Sequence, residues 1–175
     1  MHNNINYRIL SVEEREICSF EEVKSYLRVT HKNDDRLIAN LINSAVSSAE
    51  QFLGISFFAK KICCIMGNAP NYLRMKYLPI VKIEKVFLIS GEDKKDITED
   101  FGHVDFNHDQ IWIGQKYLHQ KLEINYDAGL GGQIPRTILH GILMHIGMMY
   151  DFGENSVNIS SEIKEIYLPY RVLRV

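Results

Sequence analysis

Between Asp34 and Gly54 the apolar residues Ile38, Leu41, Ile42, Ala45, Ala49, Phe52 and Leu53 recur at three- and four-residue steps. Asn40, Asn43, Ser44, Ser47 and Ser48 occupy the other side. This is the clearest periodicity in the chain, and it predicts an amphipathic helix with one buried face. Asn33, Asp34 and Asp35 offer a cap and negative charge at its positive end, and Gly54 a C-terminal stop. Upstream, Ser19-Phe20-Glu21-Glu22 has the capping-box form and starts a shorter helix to about Arg28, with Phe20, Val23 and Leu27 on one side. The polar stretch Thr30 to Asn33 separates the two. Residues 19–54 therefore read as a helical pair.

From Lys60 to Asp127 the period changes to 2, and this segment reads as β-rich. Candidate strands are Lys61–Met66, Tyr72–Leu78, Ile80–Ile89, His103–Phe106, Ile111–Ile113 and Lys121–Tyr126. Ser90 to Asp93 and Asn107 to Gln110 are turn signals. Leu122, Ile124 and Tyr126 alternate with Lys121, Glu123 and Asn125, as in a strand with one buried face. The short connections favour antiparallel pairing.

A glycine-rich loop, Ala128 to Gln133, then leads to Pro135, which suits the first turn of a helix over 135–151. Ile138, Ile142, Ile146 and Met149, flanked by Leu139, Leu143 and Tyr150, form one broad apolar face of that helix. Gly141, Met144 and Met148 lie on the opposite side, with His140 and Gly147 beside them and no charge. A helix apolar nearly all round is buried on two sides. The second side is covered either within the monomer or by a neighbouring subunit, and Gly141, Met144 and Met148 are the candidate subunit contact. Small residues permit close approach and methionines adapt to irregular surfaces.

The 175 residues predict one domain, 1–175, of the α+β class. A net charge of −2 argues against general attraction to nucleic acid or anionic membrane. No apolar run approaches the roughly 18 to 20 residues that span a bilayer, and the polar start Met1-His2-Asn3-Asn4 does not resemble a signal peptide. Cys18, Cys63 and Cys64 form no CxxC, so reduced structural thiols in a cytoplasmic setting are expected.

Three stretches invite a chemical reading. In "HVDFNHD", His103, Asp105 and His108 are suitable ligand types for zinc or iron, and a hairpin brings such residues together; a solvated hairpin shows the same residues. In "GLGGQIPR" glycines precede a helix, but the Lys-Ser/Thr of a P-loop and the GxGxxG spacing are both missing. His140 and His145 stand five residues apart, about 140° around a helix axis, and do not grip one ion from the same helix. No Ser/His/Asp, Cys/His or paired-carboxylate arrangement stands out, so neither an enzyme nor a cofactor is expected. The alternative is a metal-dependent enzyme using His103, Asp105 and His108.

Several segments, in order, resemble the head–tail connector (adaptor) family of tailed bacteriophages, prophages and gene transfer agents. "SFEEVKSYLRVTHKNDDRLIANLINSAVSSAEQFLG" is similar to its short helix, acidic step and long helix, with Lys24, Leu27, Arg28, Asp34, Asp35, Ile38, Ala45, Glu50 and Gly54 at the matching positions. "YLPIVKIEKVFL" is similar to its L-P-x-x-P-V strand without the second proline. "LEINYDAGLGGQIPRTILHGILMHIGMMYDFGEN" follows its strand, loop and long helix, departing from the usual basic ending at "DFGEN", and "YLPYRVLRV" resembles its tail. The resemblance implies helices from both chain ends forming a small bundle with the β-rich middle inserted. It also implies a ring of about twelve copies below the portal protein, offering a platform to a stopper or tail-completion protein. DNA would pass through the channel without specific binding, and no membrane is involved. The protein would be a virion component assembled in the bacterial cytoplasm, with another morphogenesis factor (stopper or tail completion) as a second alternative. The tail over 166–175, with Tyr167, Tyr170, Arg171 and Arg174, is a candidate portal-binding arm, since aromatic and arginine residues are enriched at binding hot spots. Its alternative is a final edge strand packed on its own domain.

Overall fold

The computed structural model describes residues 5–13, 15–152 and 158–172. The protein is α+β with antiparallel sheets. Two compact units emerge, each built from two separated stretches: Met1–Glu14 with Phe58–Gly131, and Arg15–Phe57 with Gly132–Val175.

The second unit holds the helices α1 (Phe20–Leu27), α2 (Asp35–Leu53), α3 (Arg136–Phe152) and α4 (Ser161–Tyr167). α3 packs against each of the other three. The expected cap forms at α1, where Ser19 Oγ accepts the Glu22 N–H at 3.1 Å. Arg28 ends the helix in the left-handed region, φ 57°, which returns the chain toward α2. Lys24 fixes that return: its Nζ donates to His31 O at 2.7 Å and to Asp35 Oδ1 at 2.6 Å. The predicted stripe of α2 is realised, with Ile38, Ala45, Ala49 and Leu53 fully buried. Its N-terminus differs from expectation, because Asp34 makes no side-chain cap bond. Its Oδ2 accepts instead from Tyr150 Oη at 2.6 Å, which ties α2 to α3 and raises the Tyr150 pKa.

Residues 161–170 are helical rather than an edge strand. Ser160 Oγ caps α4 by accepting from Ile163 N, and a short 3-10 turn, Leu168–Tyr170, follows. A helix capped this way satisfies its own backbone groups and needs no sheet partner. Val172 N then donates to Leu53 O at 2.8 Å.

The first unit is mainly β, with a short 3-10 turn at Gln115–Tyr117. Its strands are β1 (Ile5–Glu13), β2 (Ala59–Met66), β3 (Tyr72–Arg74), β4 (Ile80–Ser90), β5 (Asp93–Asp96), β6 (Gly102–Asp105), β7 (Gln110–Ile113) and β8 (Leu122–Ala128). A five-stranded sheet has the order β1-β2-β8-β4-β5, and a three-stranded sheet the order β3-β7-β6. All six predicted strands are present, with the second ending at Arg74 rather than Leu78. β1 and β5 are additions to that reading. β5 follows a tight turn at Gly91, φ 62°, and is held by ion pairs of Lys85 with Asp96 at 2.7 Å and of Lys94 with Glu123 at 2.6 Å. Ile62, Cys64, Met66, Val86, Leu122 and Ile124 are fully buried and centre the core. Burial pushes the Cys64 thiol up to about 12 and the Cys18 thiol to about 11, so both remain protonated.

Candidate assembly surface

The exposed side of α3 and the end of α1 together form an open groove of about 320 Å³. Tyr26, Leu27 and Arg28 line one wall, and Met144, Met148 and Phe152 the other. Gly147 lines the groove between the walls, and a Cβ there would stand 3.4 Å from the Tyr26 ring, at van der Waals contact. Tyr26 is 43% exposed and Phe152 69% exposed, while Met144 and Met148 are half-buried. Such a cluster of aromatic and thioether groups differs from the single exposed apolar residues of an ordinary surface. Arg28 at one side and Asp151 at the other give it charges of both signs.

The three candidate contact residues on α3 separate into two sets. Met144 and Met148 line the groove. Gly141 is buried beneath α4: a Cβ there would lie 2.4 Å from Tyr167 Cε1 and 2.9 Å from Cζ. Its small size serves an approach within the chain. Tyr26 and Phe152 escaped the sequence reading, although each continues an apolar helical stripe past its last buried turn.

The tail candidates separate likewise. Tyr167 is fully exposure-free, 0%, and belongs to the core of the helical unit. Tyr170 is half-buried, and Arg171 is exposed with its guanidinium 4.6 Å over the Phe52 ring. Arg174 lies outside the described residues. Leu168, 54% exposed, extends this surface.

Of the "HVDFNHD" residues, Asp105 and His108 meet, while His103 lies against a different partner. His103 stacks on Trp112 with ring centres 6.0 Å apart. Asp105 organises the turn, accepting the backbone N–H groups of Asn107 and His108 through Oδ1 and meeting His108 Nδ1 at 2.7 Å through Oδ2. The His108 contact holds the Asp105 carboxyl below the usual carboxylate range. Among the described residues no group of three or more His, Cys, Asp or Glu side chains is placed to hold a metal ion. On α3, His145 is fully buried whereas His140 is exposed, so the two diverge as their angular spacing requires. The glycine loop is a connection, in which Gly132, φ 80°, donates its N–H to Phe57 O at 2.7 Å. Among the described residues no helix is long and apolar enough to cross a membrane.

Known proteins bear on this geometry. The family model described as head completion protein matches residues 16–156. No curated protein matches the chain. Among solved structures, a chain in the virion of a native gene transfer agent particle has a TM-score of 0.74 at 10% identity, covering 97% of this chain and 96% of that one. A chain in the neck of an empty gene transfer agent particle, computed with C6 symmetry, has a TM-score of 0.67 at 11% identity, covering 95% and 97%. One in the neck of a native particle, computed with C12 symmetry, has a TM-score of 0.63 at 11% identity over the same shares. At these identities the likeness concerns the fold.

Proposed function

We propose, from the premise that this chain belongs to the head completion protein family, that its subunits form a ring between the portal protein and a stopper or tail-completion protein. The chain is a structural virion protein of the head–tail connector kind. The observation that carries this reading is the family match, which runs over 16–156 and so spans α1 to α3 and the β-rich middle. Helices from both ends of the chain act as one bundle carrying the 60–127 segment as an insertion, the whole serving as one functional domain. The ring holds about twelve copies and carries out no catalysis. The net charge of −2 supports a channel through which DNA slides, because basic walls would bind phosphate strongly. Assembly takes place in the bacterial cytoplasm.

Within this reading the Met144 and Met148 groove takes the neighbouring subunit, and the Tyr170 and Arg171 surface takes the portal. Expression with the portal protein, followed by electron microscopy, tests it: a ring of this chain on the portal is expected, and a portal that never retains the chain overturns it. Met148→Glu buries a charge in the groove and is expected to weaken ring formation about tenfold or more, with an unchanged circular dichroism spectrum. Tyr170→Ala combined with Arg171→Ala is expected to reduce portal co-purification. Its stability cost should be only about 1 kcal/mol, the scale of the lost cation–π contact.

A further inference from the structure

The five-stranded sheet has two unlike edges. β5 is short, exposed throughout and entirely charged, Asp93-Lys94-Lys95-Asp96, the composition that discourages edge pairing. β1 has nine residues, and among the described residues no strand pairs with its outer side. It carries exposed Ile9 (43%), Leu10 (54%) and Val12 (40%). A long apolar edge is a template for another strand.

The sequence of β1 specifies which strand. Its register against β2 shifts between Ile9 and Ser11, leaving Leu10 as an extra residue. Ile9 and Val12 therefore lie opposite Ile62 and Lys60, on one face, while Arg8 and Glu13 lie opposite Cys63 and Ala59, on the other. In a regular strand, residues three or five apart point to opposite faces; the bulge brings each of these pairs onto one face. Two copies of β1 laid antiparallel about a two-fold axis between Leu10 and Ser11 then bring two complementary pairs into register. Ile9 meets Val12 of the other copy, and Arg8 meets its Glu13, twice each. Glu13 also has a contact within its own chain, so the exchange adds to an existing arrangement.

We infer that the β1 edge is a docking surface for β1 of a second copy, joined antiparallel with Arg8 opposite Glu13, giving a dimer of the free protein. Such a contact is isologous and closes after two copies. It is therefore separate from the head-to-tail contact that a ring requires, and it covers the apolar edge before the subunit reaches the neck.

The purified full-length chain, measured by sedimentation equilibrium from low micromolar to submillimolar concentration, should show a monomer–dimer equilibrium. Arg8→Glu and Glu13→Arg should each weaken dimerisation about tenfold, because each sets like charges opposite one another at two places. The double variant should restore it. Ser11→Cys, next to the two-fold axis, should cross-link into a covalent dimer under mild oxidation, a readout independent of the charge changes. A chain that stays monomeric throughout, or self-association that ignores the charge reversals and yields no Ser11→Cys dimer, would overturn the inference. So would pairing only with a different protein. None of these results touches the portal experiment, so the two readings stand or fall separately.

Discussion

Gly141→Val is expected to destabilise the protein by about 3 kcal/mol, lowering its melting temperature by about 10 °C. The cause is a collision between two parts of the helical unit. A Cβ at residue 141 would stand 2.4 Å from Tyr167 Cε1, 2.9 Å from Cζ and 3.0 Å from Oη. The tyrosine ring is fully buried, so it has no open direction in which to move. A substitution that fills a helix interior ordinarily gains up to about 1 kcal/mol over glycine, and here the clash outweighs that gain. Tyr167→Ala is expected to cost about 3–5 kcal/mol by leaving a cavity under α4. Combining the two should cost clearly less than their sum, because valine enters the space the ring has left. Thermal or urea melts of the four proteins measure this coupling. Additivity within about 0.5 kcal/mol would show that the two positions do not share a contact.

Lys24→Ala is expected to cost about 2–3 kcal/mol. Lys24 carries its charge on a side chain only 10% exposed, with His31 O and Asp35 Oδ1 as its two oxygen partners. Removing it leaves a carbonyl and a carboxylate short of a donor at the junction of α1 and α2. Asp35 is 38% exposed, and water replaces part of what it loses, which keeps the cost below that of a wholly buried pair. Lys24→Met retains the aliphatic stem and should cost about 1–2 kcal/mol, so the difference between the two variants isolates packing from charge. If Lys24→Met proves as stable as the parent, the ammonium contributes nothing and the account of the junction is wrong. The lysine, Arg28 and the two aspartates are among the matching positions of the connector resemblance, and the structure gives them physical tasks. Lys24 and Asp35 join the helices, Arg28 turns the chain in the left-handed region, and Asp34 anchors Tyr150.

What could be read in the sequence was what repeats locally. α1, α2 and α3 announce themselves because burial of one helical face imposes a 3.6-residue rhythm, and Ile38, Ala45, Ala49 and Leu53 keep it. β2, β4 and β8 are legible because Ile62, Cys64, Val86, Ile124 and Tyr126 face a core. β5 has no apolar residue at all, so no periodicity could have marked it. β1 did alternate, Ile5, Tyr7 and Ile9 against Asn6 and Arg8, but its partner lies beyond both helices of the 15–57 stretch, and no nearby turn signal pointed to it. α4, at seven residues, is too short for a periodic pattern, although Ser160 and Ile163 hold its cap. At the candidate surface, the sequence placed Met144 and Met148 on a second apolar side of α3. The division between them and Gly141 depends on where Tyr167 lands, a contact made across 26 residues of chain, and spacing within one helix carries no information about it.

The division into interleaved stretches has a consequence for synthesis. The chain passes between its two units at 14/15, 57/58 and 131/132. β1 leaves the ribosome before α1 and α2, yet β2, the strand it pairs with among the described residues, is made after them. Those helices in turn wait for α3, which follows the last strand. The β-unit can close once residue 131 has emerged, and the helical unit cannot close before α3 and α4 have followed. Apolar faces of the first-made helices thus stay without their partner during most of translation, the period in which chaperones meet nascent chains. The order in which its pieces arrive therefore bears on folding during synthesis, alongside the stability of the finished fold.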